Sequence, residues 1–361
     1  MKVLFVDTPG SRPTDGGGHT FHELLLAGLK GMRSNHECSY VQPEPNKGVV
    51  QALVLKNQID FVWFTSPYYE PVEVPFAATV WDLGHRQMPY FPELSLSGWT
   101  FEQREQHYRH VLPRAGIVAV GNGAGARAIH EYYQVAPQNI CEIALPVDAA
   151  GLQQASAERG VIERLGLAPA QYLLYPAQFW PHKNHVTLVD MLALLHGSGR
   201  HLKLVFSGSD KGNRAHVEKY VAQRGLQHSV VFAGFVDTAV LRQLYLQAFA
   251  MVYGSMMGPD NLPPLEAMAL RCPVVCAAFD GAREQVGDSA LLFEPLDAPG
   301  AAAQLMRLEE PGLRTQLIAK GLTLVATRTP DDYARRINEV LDRFALRRRL
   351  WGPCNSYRHS T

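Results

Sequence analysis

Lys183 is the residue of this chain whose type and setting best suit work on a departing anion. It stands in Gln178-Phe179-Trp180-Pro181-His182-Lys183-Asn184, directly after an apolar strand-like run at 173–175 and before a helical pattern. A loop at the carboxyl end of a strand faces whatever ligand an open α/β sheet binds, and an ammonium there can neutralise a leaving diphosphate. A single loop lysine is also read, more plainly, as a solvated surface charge.

The stretch 258–275, GPDNLPPLEAMALRCPVV, offers the second candidate. The spacing predicts a helix opening at Asn261-Leu262-Pro263-Pro264, with Glu266 in its first turn and an apolar strand following at 273–277. Prolines pre-set the entry angles, and the unpartnered first-turn amides around Asn261 and Leu262 can grip an anion such as a diphosphate. A capped helix with a glutamate serving its dipole accounts for the same residues.

Two weaker constellations lie nearer the start. Asp15-Gly16-Gly17-Gly18-His19 follows the first strand and opens a helix, so Gly17 and Gly18 allow close backbone approach to a ligand. The GxGxxG spacing is absent, and a flexible loop fits as well. Trp81-Asp82-Leu83-Gly84-His85-Arg86 ends another strand. Asp82 and His85 are read there as catalytic residues, against Asp82 capping a turn and His85 satisfied in packing. No Ser/His/Asp order, HExxH pattern or cysteine/histidine pairing with zinc spacing is present, which leaves no nucleophile with its base and no metal site.

The elements that must carry these residues follow from composition and pattern. With 361 residues and 47% hydrophobic content the chain can bury more than one core. Its 34 lysines and arginines balance 34 aspartates and glutamates, so no global field points to nucleic acid. The five cysteines are odd in number and scattered, and no apolar run approaches a membrane span of about 18 residues. The start of the chain has no leader pattern, and a reducing cytoplasm is the expected home. Short β-rich runs at 2–6, 61–64, 77–81, 117–120, 173–175, 202–206, 230–232, 251–253 and 274–277 alternate with helical patterns. That alternation predicts an α/β fold of two doubly wound, Rossmann-like domains with parallel sheets, facing each other across a cleft. The expected divisions are 1–165, 166–328 and a terminal helix with its tail over 329–361, crossing back to the first domain. That helix carries Ile337, Val340, Leu341 and Phe344 on one face, with Arg343, Arg347, Arg348, Arg349 and Trp351 at its end. The arginines complement the helix dipole or, alternatively, meet a membrane surface.

Residues 258–275 resemble the donor motif of retaining GT-B glycosyltransferases of family 4, and so do Leu204-Val205-Phe206-Ser207-Gly208, Val231-Phe232-Ala233-Gly234-Phe235 and the segment from Gly281-Ala282-Arg283-Glu284 to Phe293. Glu266 matches the second of the motif's two glutamates, and Gly258 stands where the first belongs. Lys183 matches the lysine of the family's basic pair, and Gln178 replaces its arginine. The resemblance implies a metal-independent retaining enzyme without cofactor, whose donor substrate is a nucleotide diphosphate sugar, a GDP-sugar being the first guess. The acceptor it implies is a glycan or glycolipid, and contact with the inner face of a membrane is compatible. It further implies that Gly17, Gly18, Gln178, Lys183, Asp260, Asn261, Leu262, Glu266 and Glu284 line the donor pocket, with Glu266 on the ribose. Asp260 or Asn261 would make the polar contact to the sugar that Gly258, having no side chain, cannot make. Two alternatives stay open: a GT-B sugar nucleotide epimerase or phosphorylase, and a catalytically degenerate partner subunit.

Overall fold

The computed structural model describes residues 1–8, 17–32, 34–44, 48–96, 98–154, 160–258 and 260–352. Among these residues the chain forms two parallel sheets of six strands each. The first holds β1 (Lys2–Val6), β2 (Glu37–Val41), β3 (Phe61–Phe64), β4 (Phe76–Thr79), β5 (Ile117–Val120) and β6 (Ile140–Glu142), in the order β2-β1-β3-β4-β5-β6. The second holds β7 (Tyr172–Pro176), β8 (Lys203–Ser207), β9 (Val230–Gly234), β10 (Ala250–Tyr253), β11 (Val274–Ala277) and β12 (Ala290–Phe293), in the order β12-β11-β10-β7-β8-β9.

The central strands are the runs most legible in the sequence. Phe-Val-Trp-Phe of β3, Ala-Met-Val-Tyr of β10 and Val-Val-Cys-Ala of β11 are buried at every position, because helices cover both faces of a parallel sheet. The edge strands β2 and β6 carry exposed or half-buried residues throughout and gave no apolar run to detect. The four described cysteines, Cys38, Cys141, Cys272 and Cys276, are free thiols. Cys354 lies outside the described residues.

Two compact units contain these sheets. One comprises Met1–Gln87, Trp99–Pro146 and the chain from Pro330 on. The other comprises Met88–Gly98 and Val147–Thr329. The second unit therefore begins before the expected division at 165/166, because Val147 and Ile162 are buried in the core of the second sheet. It also takes in a short excursion, Met88–Gly98, from the amino-terminal half of the sequence. In the first unit the helix Pro330–Arg348 buries Tyr333, Ile337, Val340, Leu341 and Phe344 in the core around β1 and β3. Gly28 permits its close approach, since a Cβ there would lie 2.3 Å from the Pro330 carbonyl oxygen.

The helix His185–Gly197 follows β7, and its first residue is fully buried. The His185 ring stacks on Phe179 at 4.5 Å and packs against Tyr175 and Phe206. Burial pushes its pKa down to about 3, helped by the nearby charges of Lys183 and His182. Above about pH 6.5 the ring is neutral in both folded and unfolded chains. As pH falls through 6.5 toward 3, the unfolded chain takes up a proton that the folded one refuses, and stability is lost at up to about 1.4 kcal/mol per pH unit. Between pH 7 and pH 5 the wild type should lose about 2 kcal/mol more unfolding free energy than His185→Phe. Denaturant titrations at both pH values check this, and equal losses would mean that His185 takes up its proton as readily in the folded chain as in the unfolded one.

Candidate functional site

In the second sheet the strand order reverses between β7 and β10. Ligands of open α/β sheets sit at the carboxyl ends of strands at that switch point, because the helices that follow the two strands diverge to opposite faces. The loop after β7 carries Lys183, and the loop after β10 runs from Gly254 into the helix Leu262–Ala269. The two loops meet. The Lys183 Nζ donates to Tyr253 Oη at 3.1 Å, Ser255 Oγ at 3.4 Å and Asn261 Oδ1 at 3.5 Å. It also lies 5.5 Å from the centre of the Tyr253 ring.

Its neighbours are fixed in turn. The Tyr253 hydroxyl donates to Asn261 Oδ1 at 2.7 Å, the Asn261 amide donates to the Gly258 carbonyl at 2.7 Å, and the Ser255 hydroxyl donates to the Met257 carbonyl at 2.8 Å. Gln285, 1% exposed, donates from Nε2 to the Asn261 carbonyl at 2.6 Å and to Asp260 Oδ1. Arg328 donates to the Gln285 carbonyl at 3.1 Å and brings its guanidinium within 4.0 Å of the Asp260 carboxylate. A half-buried ammonium held at the carboxyl ends of two strands can add a charge-assisted bond to an arriving anion.

Gly258 adopts φ +106°, in the region that favours glycine, and a Cβ there would lie 3.0 Å from both terminal atoms of the Asn261 amide. A glutamate cannot occupy this turn as built. The departure from the family pattern is thus matched by its surroundings.

Several expected site residues stand differently from the sequence reading. Glu266 lies in the second turn of its helix, not the first, since Asn261 is the N-cap and no acidic residue occupies the first turn. Of the first three helical positions only Leu262 carries an N–H, because Pro263 and Pro264 have none, so the predicted cradle of amides is reduced to those of Asn261 and Leu262. The Glu266 carboxylate accepts from the Tyr245 hydroxyl at 3.1 Å. Burial raises its pKa above the ordinary carboxylate value, against the opposing effect of that bond. Asp260 is turned inward, its side chain 5% exposed and engaged by Gln285. Glu284 is exposed on the short helix Ala282–Val286, and it is the next residue, Gln285, whose side chain enters the network. Gln178 accepts from the Trp180 indole at 3.0 Å.

In the first unit, Asp82 accepts from the Gly84 amide at 2.9 Å and lies 3.7 Å from the Arg104 guanidinium, which is a turn-capping arrangement. His85 is fully buried. Its Nε2 is 3.0 Å from Glu105 Oε1 and 3.1 Å from the Tyr133 hydroxyl, and its ring stacks on Tyr108. Burial holds its pKa below the ordinary value, and in this structure the ring is packed and bonded through Nε2, the arrangement of the alternative reading in which it is satisfied in packing. The Glu105 carboxylate beside it is pushed up by burial but held down at about 2 by bonds from Arg86, Tyr133, Arg109 and His85. Gly17 and Gly18 begin the helix Gly17–Gly31, whereas Asp15 and Gly16 of the predicted turn lie outside the described residues.

Among the described residues, no group of three or more histidines, cysteines, aspartates or glutamates is arranged to hold a metal ion, and no helix is long and apolar enough to cross a membrane. Tyr253, Ser255, Gln285 and Arg328 were missed by the sequence reading. The first two carry a signal, since Tyr253 ends the strand that precedes the motif and Ser255 follows it by two residues.

Residues 165–322 match the family "Glycosyl transferases group 1". Over 278 residues the chain is 26% identical to an Escherichia coli protein named O-antigen chain mannosyltransferase B, covering 75% of this chain and 71% of that one. Among solved structures it is similar to a glycosyltransferase from Rickettsia africae, with TM-score 0.72 and 14% identity over 96% of this chain and 99% of that chain. It is also similar to Anabaena HepE in complex with UDP, with TM-score 0.70 and 17% identity over 95% of this chain and all of that one.

Proposed function

We propose that this chain, a glycosyltransferase by the group 1 match of residues 165–322 and by its GT-B fold, moves a sugar from a nucleotide diphosphate sugar to a growing surface glycan or glycolipid of the O-antigen type, with retention of configuration. The observation that carries the reading is the convergence of Lys183, Tyr253, Ser255 and Asn261 at the switch point of the second sheet. In the proposed step the bond from the sugar's anomeric carbon to the diphosphate breaks, and the acceptor oxygen bonds to that carbon on the same face. The departing phosphate oxygen takes the acceptor's proton. The chain's work is then positioning and charge stabilisation, without a metal: Lys183 and the Leu262 amide meet the diphosphate, and Glu266 accepts from the ribose hydroxyls.

The name of the E. coli relative favours a mannosyl group as the one transferred, and a GDP-sugar is our first choice of donor. The UDP bound by the Anabaena protein makes UDP-sugars the competing choice. A thermal-shift panel of UDP, GDP, ADP and their sugar conjugates decides the base, since ligand at 100 times its dissociation constant adds about 2.7 kcal/mol to native stability. Release of nucleoside diphosphate from the best donor, with and without lipid-linked glycan acceptor, then tests the reaction. Release that ignores acceptor favours the epimerase or phosphorylase reading. Binding without any turnover favours the degenerate subunit, a reading prompted by Gly258 and Gln178 in place of the charged residues.

Peripheral contact with the inner face of a membrane belongs to the same proposal. Arg343, Arg347 and Arg349 are exposed at the end of the helix Pro330–Arg348 or just beyond it, beside Leu346 (62% exposed) and Leu350 (83%). Basic and apolar side chains together suit an anionic lipid surface. Salt-sensitive flotation with anionic vesicles would support the contact, and none at low salt would remove it.

A further inference from the structure

We propose that Glu93 is a positioning residue for Lys183. Glu93 lies in the amino-terminal half of the sequence, on the short helix Pro92–Ser95, within the Met88–Gly98 excursion that belongs to the second unit. Its side chain is 6% exposed. One carboxylate oxygen, Oε1, accepts from both the backbone N–H of His182 at 2.9 Å and the His182 ring Nδ1 at 2.7 Å. The Phe91 ring packs edge-on against the His182 ring at 6.3 Å.

His182 immediately precedes Lys183 in a single 3-10 turn, Pro181–Lys183, so a clamp on its backbone amide fixes the direction in which Lys183 leaves the turn. Two further ties on this turn come from the second sheet's own elements. The Tyr175 hydroxyl donates to the Lys183 carbonyl at 2.6 Å, and the Met256 amide donates to the His182 carbonyl at 2.9 Å. Glu93 adds a charged acceptor from a segment that starts six residues after Asp82 in the chain, and a buried carboxylate with two donors on one oxygen is costly to leave half-paired. An interaction of that strength, aimed at the residue next to the proposed diphosphate ligand, sets where the ammonium stands when charge develops on the leaving group. A displacement of about 1 Å at such a point is enough to cost rate.

The inference rests on the role proposed for Lys183, and a double-mutant cycle on the full chain separates the two. The readout is nucleoside diphosphate release from the best donor of the panel above, in Lys183→Ala, Glu93→Ala, Glu93→Gln and the two Lys183→Ala doubles. We expect Glu93→Ala to lower kcat on the order of 10-fold with KM for the donor within about twofold, and to slow Lys183→Ala no further. Glu93→Gln, which keeps an acceptor for the His182 amide, should retain more of the rate and guards against a variant that fails to fold. Losses that multiply in the double variants, or a full kcat in Glu93→Ala, would overturn the inference while leaving the Lys183 role intact. An unaltered rate in Lys183→Ala alone would overturn both.

Discussion

Lys183→Ala should lower kcat on the order of 100-fold while shifting the unfolding midpoint little, because the ammonium acts on charge that grows as the diphosphate departs. In the resting protein Lys183 Nζ makes bonds of 3.1 to 3.5 Å to a phenol, a hydroxyl and an amide oxygen, all three of them neutral groups. Removing it leaves those oxygens bonded to one another or to backbone, since Tyr253 still donates to Asn261 and Ser255 to Met257. The cost therefore falls on the reaction more than on the fold. Steady-state rates with the best donor and a denaturant titration on the same preparation measure both quantities. A variant with wild-type turnover would remove Lys183 from the site.

Glu266→Gln should weaken binding of the free nucleoside diphosphate by roughly 10- to 150-fold, the equivalent of the 1.5 to 3 kcal/mol typical of a hydrogen bond to a charged group. The substitution keeps an oxygen to accept from Tyr245 at the 3.1 Å contact, so the helix it sits on should hold. Burial raises the Glu266 carboxyl above its ordinary value, which fixes the sign of the pH effect. The ionised form is lost as pH falls, starting above the usual carboxylate range, and nucleotide affinity should decline with it in the wild type and stay flat in Glu266→Gln. Calorimetry at several pH values tests both statements, and equal affinity of the two proteins at neutral pH would reduce Glu266 to a structural partner of Tyr245.

Much of the fold was legible in the sequence because parallel sheets covered on both faces require continuous apolar runs, and runs such as Val274–Ala277 can satisfy little else. The edges of the first sheet were not, since Glu37–Val41 and Ile140–Glu142 are exposed or half-buried throughout and carry no such run. Helix register was legible only to within a turn. The sequence placed Glu266 one turn too early, because a Pro-Pro pair marks a helix start without fixing which residue before it is the cap.

What the sequence by itself determined is that Lys183 follows a strand and Asn261 precedes a helix, so both must lie at carboxyl ends of strands in an α/β sheet. Local pattern suffices for that, because strand and helix periodicities are properties of neighbouring residues. Only the tertiary structure decided which side chains meet there. Lys183 reaches Asn261 across 78 positions, Glu93 reaches His182 across 89, and Gln285 enters from the end of a separate helix 24 positions beyond Asn261. It also showed that the His85 ring is fully buried in the first unit, against Tyr108 and Glu105. Such pairings follow from strand order and from which face of each helix is buried, quantities that no single segment carries.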